Sequence, residues 1–276
     1  MDMLPIWSEN CTVRFGAVDR SDLMTLNAVF AFFQEAAISH AENLGVGRDA
    51  LAEANQAWII SRMSVLIERR PKYRETVTVR TWPRGSEKLF AIRDYDIRDD
   101  RGNAAVRARS CWLIIDMEKR RPIRPQAVVE KLPRNEGIAS LEPADFIPAP
   151  LEERLTQGSS SNYAERKALY TDVDYFGHVN NVSYIRWIEN AVDPALLEQA
   201  GRMRLDINYM NEILPGELAG ICASAIDSAE TGLNAFAIEG RKQAAGGVIP
   251  GIAIPGIMIP AFRAELRLWR GLTSPS

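Results

Sequence analysis

Cysteine and histidine are scarce in this 276-residue chain, with three of the first and two of the second. Cys11, Cys111 and Cys222 are odd in number, far apart and without C-x-x-C spacing. That argues against a disulfide framework and against zinc ligation, and it fits a reducing cytoplasm. Neither a metal nor another cofactor is expected. Long apolar runs are missing too. The most apolar stretch, residues 246–261, repeats I-P-G and is cut by Pro250, Pro255 and Pro260, so it reads as a loop or edge segment and not as a membrane span. Residues 1–12 lack a basic segment followed by an apolar one, which argues against a secretory signal. Nor is there a large charge of one sign: 33 Lys and Arg against 36 Asp and Glu give a net charge of -3, no general electrostatic reason to bind nucleic acid or an anionic membrane. A serine nucleophile elbow, a phosphate-binding loop and a dinucleotide glycine fingerprint are all absent, which removes the usual routes to hydrolysis and nucleotide chemistry.

What is present is a chain with 46% hydrophobic residues, long enough for one large core or two ordinary ones. Leu26, Val29, Phe30, Phe33, Ala37 and Leu44 recur at helical spacing, with Gly45 available to end the helix. Strand-like runs follow at 58–67, 76–82, 89–97 and 104–115, with a turn signal at Asp99-Asp100-Arg101-Gly102. A helix followed by an antiparallel meander is an α+β order. Residues 122–160 are rich in Pro, Glu and Ser. The order then recurs: a short strand near 168–173, a helix from about Asn181, a restart at Asp193-Pro194, and strands near 204–211, 217–227, 233–241 and 262–269. A shift of 155 positions lays Phe15-Gly-Ala-Val-Asp19 on Tyr170-Thr-Asp-Val-Asp174, which puts Leu23 at the place of His178 and Ser21 at that of Phe176. The expected division is a first domain over 1–130, a linker over 131–161 and a second domain over 162–276.

The residues able to carry chemistry gather in the second copy, in Y-T-D-V-D-Y-F-G-H-V-N-N at 170–181. His178 lies between a strand end and a helix start, where the first N–H groups of a helix can hold an oxyanion. Asp174, four residues earlier, can orient or activate a water. Gly177, Val179, Asn180 and Asn181 are the candidates for the anion site and for positioning, the two asparagines also being natural helix caps. Taken alone, Asp174 can equally be a turn residue and His178 a structural one; Asp172 and His40 read as structural, and Glu212 as a strand-end surface carboxylate.

The run D-V-D-Y-F-G-H-V-N-N-V-S-Y-I-R-W at 172–187 resembles the signature of acyl-acyl-carrier-protein thioesterases, and Trp58-Ile-Ile-Ser-Arg62, Arg80-Thr-Trp-Pro-Arg84, Arg93-Asp-Tyr95 and Ala108-Arg-Ser-Cys-Trp112 extend the resemblance over most of the chain. It implies tandem hotdog domains, each a long helix wrapped by an antiparallel sheet, packed as a pseudo-dimer. It implies hydrolysis of fatty acyl-carrier-protein thioesters in fatty acid biosynthesis, with Asp174, His178 and Glu212 catalytic. The family's Asn two residues after the Asp is Phe176 here, and Ile213 stands where plant members carry a Cys after the Glu, so a Cys-His mechanism is excluded. The acyl pocket implied in the first half makes Trp58, Ile60, Met63 and Val65 lining candidates. An acidic carrier protein would find basic partners among Arg69, Arg70, Lys72, Arg74, Arg84, Lys119, Arg120, Arg121 and Arg124. A homodimer is compatible with this reading. The competing expectations are a hotdog acyl-CoA thioesterase and a non-catalytic acyl-binding protein.

Overall fold

The computed structural model describes residues 3–135, 137–138, 141, 147, 149–155, 161–228, 230–244 and 257–271. The first half runs β1 (Trp7–Thr12), α1 (Leu26–Asn43), α2 (Arg48–Glu53), β2 (Gln56–Ile67), β3 (Thr76–Glu87), β4 (Phe90–Arg98), β5 (Ala104–Asp116), β6 (Arg121–Ile123) and α3 (Gln126–Val129). The second runs β7 (Ser161–Lys167), α4 (Asn181–Glu189), α5 (Pro194–Gln199), β8 (Ala200–Tyr209), β9 (Leu218–Ile226), β10 (Leu233–Gln243) and β11 (Met258–Arg270). One antiparallel sheet holds them in the order β1-β3-β4-β5-β2-β8-β11-β10-β9-β7. Read outward from the central β2-β8 pair, both halves follow the same path, and each half has its own helix. This is the α+β tandem arrangement expected from the sequence.

The repeat holds down to single hydrogen bonds. Asp19 N–H donates to Leu23 O at 3.0 Å and Asp174 N–H to His178 O at 2.9 Å; Met24 N–H meets Pro71 O and Val179 N–H meets Ile213 O, both at 2.8 Å. The third residue after each Asp has left-handed backbone, Asp22 at φ 59 and Gly177 at φ 79. The second copy uses the residue type that adopts this conformation at least cost.

Each helix starts where its cap residue stands. Thr25 Oγ1 accepts Ala28 N–H at 3.1 Å, and Asn180 Oδ1 accepts Val182 N–H at 2.8 Å. Helix α1 buries Val29, Phe30, Phe33 and Ala36 in one core with Val65, Val79, Tyr95 and Ile97. Helix α4 buries Tyr184, Ile185 and Ile188 in the same core, among Leu205, Ile207, Ile221 and Phe262. Gly240 is required there, because a Cβ would stand 2.1 Å from the Phe262 ring. Helix α4 is half the length of α1, and Asp193 restarts the chain as α5 by accepting Ala195 N–H at 2.9 Å.

Several expectations need correction. The strand near 168–173 is displaced: the strand is β7, and Tyr170–Asp172 form a single 3-10 turn. β1 is an unanticipated edge strand. Residues 246–256 of the I-P-G stretch lie outside the described residues, but Pro260 sits within β11. It precedes Phe262, the first residue of β11 paired with β8, so its missing N–H removes no bond from that ladder. The described linker residues lie over the sheet: Ile147 N–H donates to Asn208 Oδ1 at 3.2 Å, Leu151 N–H to Glu239 Oε2 at 3.1 Å, and Arg84 reaches Asn135 and Ile138 carbonyls at 2.8 Å.

Candidate active site

The turn into α4 places Asp174 and His178 at the two ends of one narrow loop. Gly177 N–H returns to Asp174 O at 3.0 Å, and Phe176 N–H donates to Asp174 Oδ1 at 2.9 Å, which fixes the carboxylate's orientation. Burial pushes the Asp174 carboxyl above its usual range, against the opposing pull of the Phe176 N–H, the His178 charge and the His178 backbone. It borders a cleft of about 430 Å³ lined by Tyr170, Thr171, Val173, Asp174 and Tyr175.

His178 Nε2 stands 3.2 Å from Glu212 Oε2, and both side chains are partly exposed. Glu212 follows the end of β8 and reaches His178 because Val179 N–H is bound to Ile213 O. The second copy therefore brings together the three residues singled out as catalytic. The expected anion site is narrower than expected. Gly177 N–H, Val179 N–H and Asn180 N–H are spent on Asp174 O, Ile213 O and Asp172 O, and Val182 N–H on the Asn180 cap. Among the described residues, the Asn181 N–H is the donor of that first turn left without a protein acceptor. Phe176 does not fill the site: its side chain is half exposed and edge-on to Tyr175 at 5.7 Å.

The structure places other singled-out residues elsewhere. Met63 and Val65 are core residues, Ile60 packs at the core's margin, and Trp58 donates to Val46 O at 2.9 Å in a satellite cluster with Leu44 and Leu51. None borders the Asp174 cleft. Asp172 is buried, accepts Leu169 N–H at 2.9 Å and pairs with Arg186 of α4, a partner the sequence did not disclose. Of the basic residues, Arg70 is buried and pairs with Asp19, so it leaves the docking surface, and Arg84 is held by linker carbonyls. Arg120 is exposed and sits beside Glu212 instead, its Nη2 3.4 Å from Oε1. Arg48 of α2 covers the Tyr175 ring at 4.2 Å. No sequence signal pointed to either contact. Among the described residues, no cluster of His, Cys, Asp and Glu can hold a metal, and no helix is long and apolar enough to cross a membrane.

Residues 6–131 match the acyl-ACP thioesterase N-terminal domain, and residues 152–246 match the acyl-ACP thioesterase C-terminal domain. The chain belongs to the acyl-ACP thioesterase family. Among curated relatives, it is 27% identical over 224 residues to the chloroplastic acyl-[acyl-carrier-protein] hydrolase FATB2 of Cuphea viscosissima, covering 75% of this chain and 52% of that protein. It thus spans about half the length of the curated relatives it matches. Among solved structures, it is similar to an acyl-ACP thioesterase from Bacteroides thetaiotaomicron, with TM-score 0.73 and 22% identity over 95% of this chain and 97% of the other. A 12:0-ACP thioesterase from Umbellularia californica gives TM-score 0.71 and 19% identity over 96% and 97%. At those identities the structures establish the fold, the tandem hotdog expected from the sequence.

Proposed function

We propose that the protein hydrolyses fatty acyl-carrier-protein thioesters to free fatty acid and carrier protein, one active site serving the whole chain. The observation that carries this reading is the Asp174 carboxylate, which borders a cleft of about 430 Å³ and shares one narrow loop with His178, itself paired with Glu212. A carboxylate made more basic by burial is suited to draw a proton from water. Asp174 directs that water at the thioester carbon, and the Asn181 N–H lies in the same turn to receive negative charge on the carbonyl oxygen. As the C–O bond forms and the C–S bond breaks, the proton taken from water ends on the departing thiol. His178, held by Glu212, is placed to polarise or relay on the way.

Family membership supports acyl carrier protein as the partner and the second half, from about residue 162, as the catalytic one. The first half, to about residue 130, would hold the acyl chain. Three unpaired cysteines are compatible with the cytoplasm as the site of action.

The test is a panel of acyl-carrier-protein thioesters of varied chain length, each matched to its CoA thioester, with released fatty acid as the readout. Release from the carrier-protein series that disappears in Asp174→Ala is the expected result. No release above the buffer rate, or normal turnover by that variant, overturns the reading; preference for CoA reassigns the substrate class.

A further inference from the structure

The pair at the heart of the site is completed from the other half of the chain. Glu212 divides its two oxygens: Oε2 meets His178 Nε2 at 3.2 Å, and Oε1 meets Arg120 Nη2 at 3.4 Å. Arg120 comes from the tip of the β5–β6 hairpin, a turn held by Asp116, whose Oδ1 accepts Glu118 N–H at 3.1 Å and Lys119 N–H at 2.9 Å. At that tip the backbone of Arg120 is left-handed, φ 49, where glycine would be the easier residue.

We propose that Arg120 is a positioning residue for the His178–Glu212 pair, holding one oxygen of Glu212 so that the other stays on the imidazole. This rests on the function proposed above but concerns a residue outside the family signature, on the half that carries no catalytic group. The charged groups around the imidazole are then Glu212 on the strand end, Asp174 across the turn and Arg120 behind Glu212. Removing Arg120 frees Glu212 to rotate off the imidazole, so the ring loses the partner that fixes its orientation.

Three variants test this: Arg120→Ala; Arg120→Gly, which relieves the turn so that misfolding cannot explain a loss; and Arg120→Lys, which keeps the charge. In Ala and Gly, kcat is expected to fall about fivefold with little change in KM, the scale of an exposed ion pair. Lys should stay close to the parent in kcat. The His178 imidazole can be followed directly by NMR, since burial holds the other histidine, His40, down at about 4. A change in the His178 ring chemical shifts at fixed pH in Ala and Gly that Lys restores supports the positioning role even if the protein proves inert towards every thioester, which would sink the proposed function alone. Unchanged kcat and unchanged His178 ring chemical shifts in both variants overturn it.

Discussion

Arg70 and Glu212 occupy the same place in the two copies, each immediately before the residue whose carbonyl takes the N–H that follows Leu23 or His178. In the first copy the arginine reaches back to Asp19, the counterpart of Asp174, and also donates to Met24 O at 2.9 Å, Leu23 O at 3.0 Å and Leu197 O at 3.2 Å. In the second copy the carboxylate meets a histidine and leaves Asp174 open to the cleft. One loop geometry thus yields a sealed ion pair in one copy and an accessible site in the other.

This asymmetry predicts opposite costs at equivalent positions. The Arg70 side chain is 3% exposed, so Arg70→Ala strands Asp19 and three carbonyls and should cost about 3–5 kcal/mol by denaturant unfolding. Glu212 is 42% exposed, so Glu212→Ala should change stability by less than about 1 kcal/mol while lowering kcat roughly a hundredfold. Equal stability losses in the two variants would contradict the division of labour.

At Asp174 the expectation is a gain in stability from a loss of function. The folded carboxyl is raised by burial, so folding disfavours its charged form. Asn keeps an oxygen for the Phe176 N–H and carries no charge. Asp174→Asn should therefore abolish turnover with a Tm at neutral pH equal to or above the parent's. A clear drop in Tm would mean that the carboxylate holds the turn together.

Much of this was legible in the sequence because it depends on local period and spacing. The α1 stripe, the strands of both meanders and the 155-residue repeat around Asp19 and Asp174 were all visible. The edge strands were not: β1 and β7 pair on one side only and alternate with polar residues, so Trp7 and Cys11 send a weak signal. Arg70 misled because a charged residue reads as surface, and only its contacts with Asp19 and three carbonyls make burial tolerable. Arg120 and Glu212 lie 92 residues apart and meet only once the hairpin after β5 is folded beside the end of β8.

Phe176 offers a direct test of the departure from the family pattern. Its N–H holds Asp174 whatever the side chain, and the ring is half exposed, so Phe176→Asn should leave Tm nearly unchanged. Turnover should rise, because an amide two residues after Asp174 adds a polar group able to orient water or the thioester carbonyl. A fall in kcat/KM would instead assign Phe176 to substrate contact through the aromatic rim it shares with Tyr175.

Two buried titratable groups set opposing slopes in the pH dependence of stability. Glu189, at the end of α4, accepts Leu26 N–H at 2.8 Å and Asn27 N–H at 3.3 Å at the start of α1, and burial pushes it from 4.5 up to about 7 despite those donors and Arg70. Folding then takes up a proton, so the stability associated with neutral Glu189 is full below 4.5 and is lost as pH rises to about 7. His40 behaves oppositely. Burial, with the Arg93 charge, lowers it from 6.5 to about 4 although it donates to Leu4 O at 2.8 Å. Folding expels that proton, so stability is lost as pH falls from 6.5 towards 4. Between 4.5 and 6.5 the two slopes oppose each other in the parent. Glu189→Gln, which keeps an acceptor for the α1 amides, should show stability rising with pH across that window, and His40→Gln should show it falling. Denaturant midpoints measured at half-unit steps would reveal the pair of slopes, and parallel curves for the two variants would refute the assignment.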